Sequence, residues 1–76
     1  MSAYSKQTGE RIRMYRKMKS MTLQQLADRI HKSRASVSKY ENGEIAMDIE
    51  TLGEIARVLQ VSPGQLLDLQ EEQKLL

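Results

Sequence analysis

"TLQQLADRIHKSRASVSKYENG", Thr22 to Gly43, contains two short apolar-periodic segments joined by too few residues for anything but a sharp turn. In the first, Thr22 and Gln25 stand at capping-box spacing, and Leu23, Leu26, Ala27 and Ile30 make one apolar stripe. The spacing predicts a helix opening at Thr22. In the second, Ser33 can cap RASVSKYEN, where only Ala35, Val37 and Tyr40 are apolar enough to face inward; Val37 and Tyr40, three apart, fix the inward side. That leaves Arg34, Ala35, Ser36, Ser38 and Lys39 facing out. Gly43 fits a left-handed helix stop.

The rest of the chain is helical in pattern as well. A first helix is expected from about Lys6 to Lys19, with Ile12 and Tyr15 on one face and Arg13, Arg16 and Lys17 on a basic one; Ser20 ends it. Asp48 caps a fourth helix, IETLGEIARVLQ, in which Ile49, Leu52, Ile55, Ala56 and Leu59 form the clearest amphipathic stripe. Gly53 weakens that helix and suggests close packing at its position. Ser62, Pro63 and Gln65 supply a cap, a first-turn proline and a capping-box partner for a fifth helix carrying Leu66, Leu67 and Leu69. At 76 residues the chain reads as one all-α, compact five-helix domain, residues 1–76, with a tail at 70–76 that frays or links to a further domain.

Charge is segregated along the chain. Residues 1–40 carry ten Lys or Arg against Glu10 and Asp28, a net +8; residues 41–76 carry Arg57 and Lys74 against eight acids, a net −6. Such polarity suits a face that binds a polyanion and a face that stays solvated, although charge runs are also ordinary solvated helix surface. Several chemistries lack their residues. With no cysteine and only His31, neither a Cys-His nucleophile pair nor a His-rich metal site can be assembled, so no enzyme, metal or cofactor is expected. Met14, Met18 and Met21 could form a ligand patch, but methionine more often fills gaps in a core. No membrane-length apolar run is present, which makes cytoplasmic localisation the expectation.

Two short helices joined by so tight a turn form a helix-turn-helix, here about 22–43, whose second helix can enter the major groove of DNA. The run TLQQLADRIHKSRASVSKYENG followed by DIETLGEIARVLQVSPGQLL resembles the Xre/Cro/C1 family of regulators, with the fold of the lambda and 434 repressor DNA-binding domains. The likeness covers about Gly9 to Leu67. It rests on Leu26 and Ala27, on the Ser, Val and Glu-Asn-Gly pattern closing the third helix, and on the T-L-x-x-I-A-x-x-L-x-V-S-P-x-x-L-L ending.

The resemblance implies a sequence-specific, double-stranded DNA-binding regulator, a repressor acting as a homodimer on a palindromic operator. By position, Arg34, Ala35, Ser36 and Lys39 would contact bases, while Thr22, Gln24, Ser33, Ser38, Asn42 and Gly43 would contact phosphates. Arg16 and Glu41 would form a structural ion pair. Dimerisation is expected through helix five and Leu66, Leu69, Leu75 and Leu76, and an effector domain or partner protein would lie outside these residues. The chain departs from the family at Leu23, where Gln is usual, at His31 for a turn glycine, at Lys32 for an apolar residue, and at Glu44 for a basic one. Leu23 and Glu44 favour an alternative of the same fold, a protein-interaction adaptor with weak or no DNA binding.

Overall fold

Five helices account for residues 3–67, the part of the chain described by the computed structural model: α1 (Ala3–Met18), α2 (Leu23–Arg29), α3 (Arg34–Glu41), α4 (Ile49–Leu59) and α5 (Pro63–Leu67). Local side-chain chemistry sets four of the starts. Thr22 Oγ1 accepts from the Gln25 N–H while Gln25 Oε1 accepts from the Thr22 N–H, a complete capping box. Ser62 and Gln65 repeat it at α5. Ser33 caps α3, and Asp48 caps α4 by accepting from the Thr51 N–H at 2.8 Å. Hydrogen bonds from the Thr51 side chain and backbone hold the Asp48 carboxyl below its usual range.

The helix ends share one geometry. A residue with positive φ follows each of α1 to α4: Ser20 (54°), His31 (58°), Gly43 (71°) and Gln60 (61°). After each of them the next N–H reaches back five residues, as in Met21 to Arg16 O, Lys32 to Ala27 O, Glu44 to Lys39 O and Val61 to Ala56 O. This is the Schellman closure, which satisfies carbonyls the helix leaves open and turns the chain sharply. Three of the four left-handed positions are not glycine.

The core is built from every helix: Ile12 of α1, Leu26 and Ala27 of α2, Val37 and Tyr40 of α3, Ile55, Ala56 and Leu59 of α4, Leu66 of α5, with Ile30 between α2 and α3. Helix α3 packs on α1 and α2, and α5 on α1 and α4. Each fully buried Leu or Ile contributes on the order of 1.5–3 kcal/mol, so a chain this short depends on all of them. Helix α1 starts earlier than its sequence pattern suggests, because tertiary contact holds its first turns: Thr8 and Gly9 are buried, and a Cβ on Gly9 would overlap the carbonyl oxygens of Tyr40 and Glu41.

Several expected inward residues face outward instead. Ile49, the first residue of α4, is 84 % exposed. Met14 and Met18 are exposed too, and only Met21 of the three methionines packs against the core. Gly53 permits no close packing, since a Cβ there would meet nothing within 4 Å; Gly9 fills that role. Leu66 is fully buried and unavailable to a second copy, while Leu69, Leu75, Leu76 and the tail at 70–76 lie outside the described residues.

Arg16 belongs to the interior rather than to the basic face of α1. It is 8 % exposed and Glu41 6 %. Its Nε and Nη2 donate to Glu41 Oε2 and Oε1 at 2.6 and 3.0 Å, and its Nη1 donates to the Met21 carbonyl at 2.8 Å. One guanidinium thus joins α1, the end of α3 and the α1–α2 turn.

Removing one partner leaves the other charge buried and unpaired, so Arg16→Ala should cost about 3–5 kcal/mol and lower the melting temperature by well over 10 °C. An unchanged thermal melt, followed by circular dichroism, would show the pair to be idle. The two glycines should separate cleanly in the same assay. Gly53→Ala is expected to stabilise by about 0.5–1 kcal/mol through helix propensity, and Gly9→Ala to destabilise by about 1–3 kcal/mol through overpacking; equal effects would contradict the packing described.

Candidate nucleic-acid interface

Helix α3 is fixed from behind, and that determines what it offers in front. Val37, Tyr40 and Glu41 are buried, and Ser33 at the N-cap accepts from the Ser36 N–H at 3.0 Å. The opposite side presents Arg34, Ala35 and Lys39 exposed, with Ser36 and Ser38 half-buried beside them. No hydrogen bond within the described residues ties down the Arg34 or Lys39 side chain. The Ser33 hydroxyl donates to the Ser36 hydroxyl at 2.9 Å, which leaves the Ser36 proton free to donate outward.

The start of α2 stands next to this surface. Arg34 shares an open cleft with Thr22, Leu23 and Gln24, and Arg16 forms part of its wall; the cleft measures about 620 Å³. An extended cationic side chain and a helix N-terminus therefore face one space, a combination that favours an anion such as a phosphate. Two contact groups here are already engaged. Thr22 N–H and Oγ1 are in the capping box, and Gln24 Nε2 donates to Asp28 Oδ1 at 2.8 Å, leaving one amide hydrogen and the carbonyl oxygen for other use. Leu23 packs against the core, which accounts for an apolar residue at a position where the resemblance leads one to expect glutamine.

Beyond α3 the geometry is more restrictive. Asn42 is exposed, but its N–H donates to Ser38 O at 3.0 Å. Gly43 is buried, its N–H donates to Tyr40 O, and its Cα lies so near α1 that a Cβ would come within 2.7 Å of Lys6 Cα. The structure thus assembles Arg34, Ala35, Ser36, Ser38 and Lys39 with Ser33, Thr22 and Gln24, places Asn42 at the border, and leaves Gly43 to the packing of α1. Sequence reading passed over Lys6. Its backbone lies against Gly43, where α1 crosses the end of α3, and its side chain is exposed; Gly43 precedes Glu44, the acid standing where the resemblance leads one to expect a base. Nothing in the local sequence marks Lys6, since α1 meets the end of α3 at Gly9 and Gly43, which are distant from each other in sequence.

The fold and this surface have counterparts among known proteins. A family model described as Helix-turn-helix matches residues 12–66. Compared with curated proteins, the chain has no match. Among solved structures it is similar to the restriction-modification controller protein C.AhdI from Aeromonas hydrophila, with 25 % identity, a TM-score of 0.80, and coverage of 86 % of this chain and 98 % of that one. It is likewise similar to the P22 c2 repressor, solved in complex with a synthetic operator, with 33 % identity, a TM-score of 0.75, and coverage of 79 % and 91 %. A third similarity is to hydroxypropylphosphonic acid epoxidase from S. wedmorenis, with 29 % identity and a TM-score of 0.82, where 88 % of this chain matches only 36 % of the enzyme. The likeness to that enzyme is thus to a minor part of its length. No helix among the described residues is long and apolar enough to cross a membrane. With the family match spanning most of the chain and two regulators similar over nearly their whole length, the chain belongs to the helix-turn-helix family of Xre/Cro/C1-type DNA-binding transcription regulators.

Proposed function

We propose that this chain is a cytoplasmic, sequence-specific repressor that binds a palindromic double-stranded operator as a homodimer, with α3 in the major groove. The observation that carries this reading is the exposed row of Arg34, Ala35 and Lys39 on a helix whose other face is locked into the core. In the major groove the Arg34 guanidinium can pair with a guanine edge, Ala35 can touch a thymine methyl, and Ser36 and Lys39 can donate to base acceptors. Thr22, Gln24, Ser33, Ser38 and Asn42 border that row and would fix its register on phosphates. Gly43 serves the same interface indirectly, by letting α1 bring Lys6 to the end of α3.

The P22 c2 repressor's complex with an operator supports the repressor assignment, and the role is one of binding rather than catalysis. For the protomer contact, the exposed residues to consider are Ile49 and Ile45, with the half-buried Met47 and Leu52 beside them. These follow α3 directly in the chain. Copies meeting there about a two-fold axis would hold their recognition helices close together, as half-sites roughly 34 Å apart require. The adaptor reading keeps both of its supports: Leu23, half-buried against the core, lines the cleft beside Arg34 without glutamine's polar group, and Glu44 is an exposed acid.

Selection from a random double-stranded oligonucleotide pool at about 0.15 M salt should enrich a palindrome. Arg34→Ala should reduce discrimination at one base pair per half-site by roughly 10- to 100-fold, with an unchanged thermal melt. Operator affinity should also fall steeply with salt. Failure of the folded protein to enrich any sequence would transfer the assignment to the adaptor.

A further inference from the structure

A second cationic surface lies away from the α3 face. The C-terminal ends of α1, α2 and α4 converge on an open groove of about 780 Å³, to which they contribute Lys19, Arg29 and Arg57 together with Met18, Met21 and Val58. No residue of α3, and none from the start of α2, lines it. Lys19 Nζ donates to Gln60 Oε1 at 2.7 Å across the groove and joins two of its walls. Arg29 and Arg57 are exposed and have no carboxylate partner among the described residues. Arg57 is notable because residues 41–67 are otherwise acidic and it is their single cation.

Helix dipoles account for a cation near each helix end. They do not account for what lines the groove beside the cations. Met18 is 71 % exposed, and Met21 and Val58, both half-buried, line the same groove, so the three cations share it with an adaptable apolar surface. A nucleic-acid backbone makes no use of such a surface. The fitting occupant has carboxylates on the outside and aliphatic side chains between them.

We infer that the groove formed by Met18, Lys19, Met21, Arg29, Arg57 and Val58 is a docking site for an acidic amphipathic helix of a partner protein. Its charges complement the three cations, and its aliphatic residues cover Met18. The site is independent of the operator reading, because it shares no residue with the α3 surface. A partner seated there would leave α3 free for DNA, so that one small domain could hold both ligands at once.

The test uses a synthetic 18-residue helical peptide of Glu with Leu at three- and four-residue spacing, and a second peptide in which every Leu is Gln. Binding is followed by amide chemical shifts of the labelled protein, together with its affinity for a short random DNA duplex. The expected result is shifts at residues 18–21, 29 and 57–60, with roughly 10-fold weaker binding of the Leu-less peptide. Arg29→Gln/Arg57→Gln, which keeps the helices intact, should weaken the Leu peptide to a similar degree and leave duplex affinity unchanged. Shifts confined to residues 33–39 would overturn the inference, since the peptide would then be acting as a DNA mimic. So would equal affinity for both peptides, no binding of either, or loss of duplex affinity in the double variant, which would assign the groove to nucleic acid.

Discussion

The buried pair between Arg16 and Glu41 is the constraint around which the other parts are arranged. Two ionised groups removed from water cost several kcal/mol each, and that cost is offset only when every donor and lone pair has a partner. Here the guanidinium meets both carboxylate oxygens and a backbone carbonyl, in a fork geometry that lysine could not reproduce. The pair connects α1 to the last turn of α3 at one distance and one angle. Apolar packing alone tolerates sliding, whereas a bidentate contact does not. Its consequence is for function as much as for stability, because the tilt of α3 determines which side chains point at a groove.

Gly9 and Gly43 are required by the same constraint. For α1 to lie close enough for Arg16 to reach Glu41, its earlier turns must run against the carbonyls that end α3, and a side chain on Gly9 would prevent this. Gly43 accepts both a positive φ and the approach of Lys6. The three other left-handed closures are made by Ser20, His31 and Gln60, each at some conformational expense. That expense is borne by the packed helices on either side, which leave the chain no other path.

Much of this was legible in the sequence because it depends on local chemistry. The caps at Thr22, Ser33, Asp48 and Ser62, the stripe of Leu26, Ala27 and Ile30, and the inward Val37 and Tyr40 each follow from residues within a turn or two of one another. What periodicity leaves open is how far a neighbouring helix extends along a stripe. Ile49 matches the inward pattern of α4 and yet stands 84 % exposed, and Met14 and Met18, of a residue type that more often fills gaps in a core, are exposed on α1. Glycine is ambiguous in the same way: Gly53 and Gly9 look alike in a helical pattern, and only the tertiary approach of α3 distinguishes them. On the candidate site, the outward row of α3 was readable as a face, while the engagement of Gln24 by Asp28, the burial of Gly43 and the proximity of Lys6 arise from contacts between segments distant in sequence or from side-chain choices that spacing does not determine.

Charge segregation acquires a spatial meaning in the fold. Of the ten cations of the first forty residues, Arg16 sits in the interior, Arg34 and Lys39 on the α3 face, and Lys19 and Arg29 in the groove. The most direct test of the account is a double-mutant cycle on Arg16 and Glu41, using Arg16→Met and Glu41→Leu singly and together, read by urea unfolding. If the pair sets the junction of α1 and α3, the double variant should be destabilised by at least 2 kcal/mol less than the sum of the two single variants, as roughly expected when one removal strands the other's buried charge. Additive effects within about 0.5 kcal/mol would contradict it, and α3 would then owe its position to apolar packing alone.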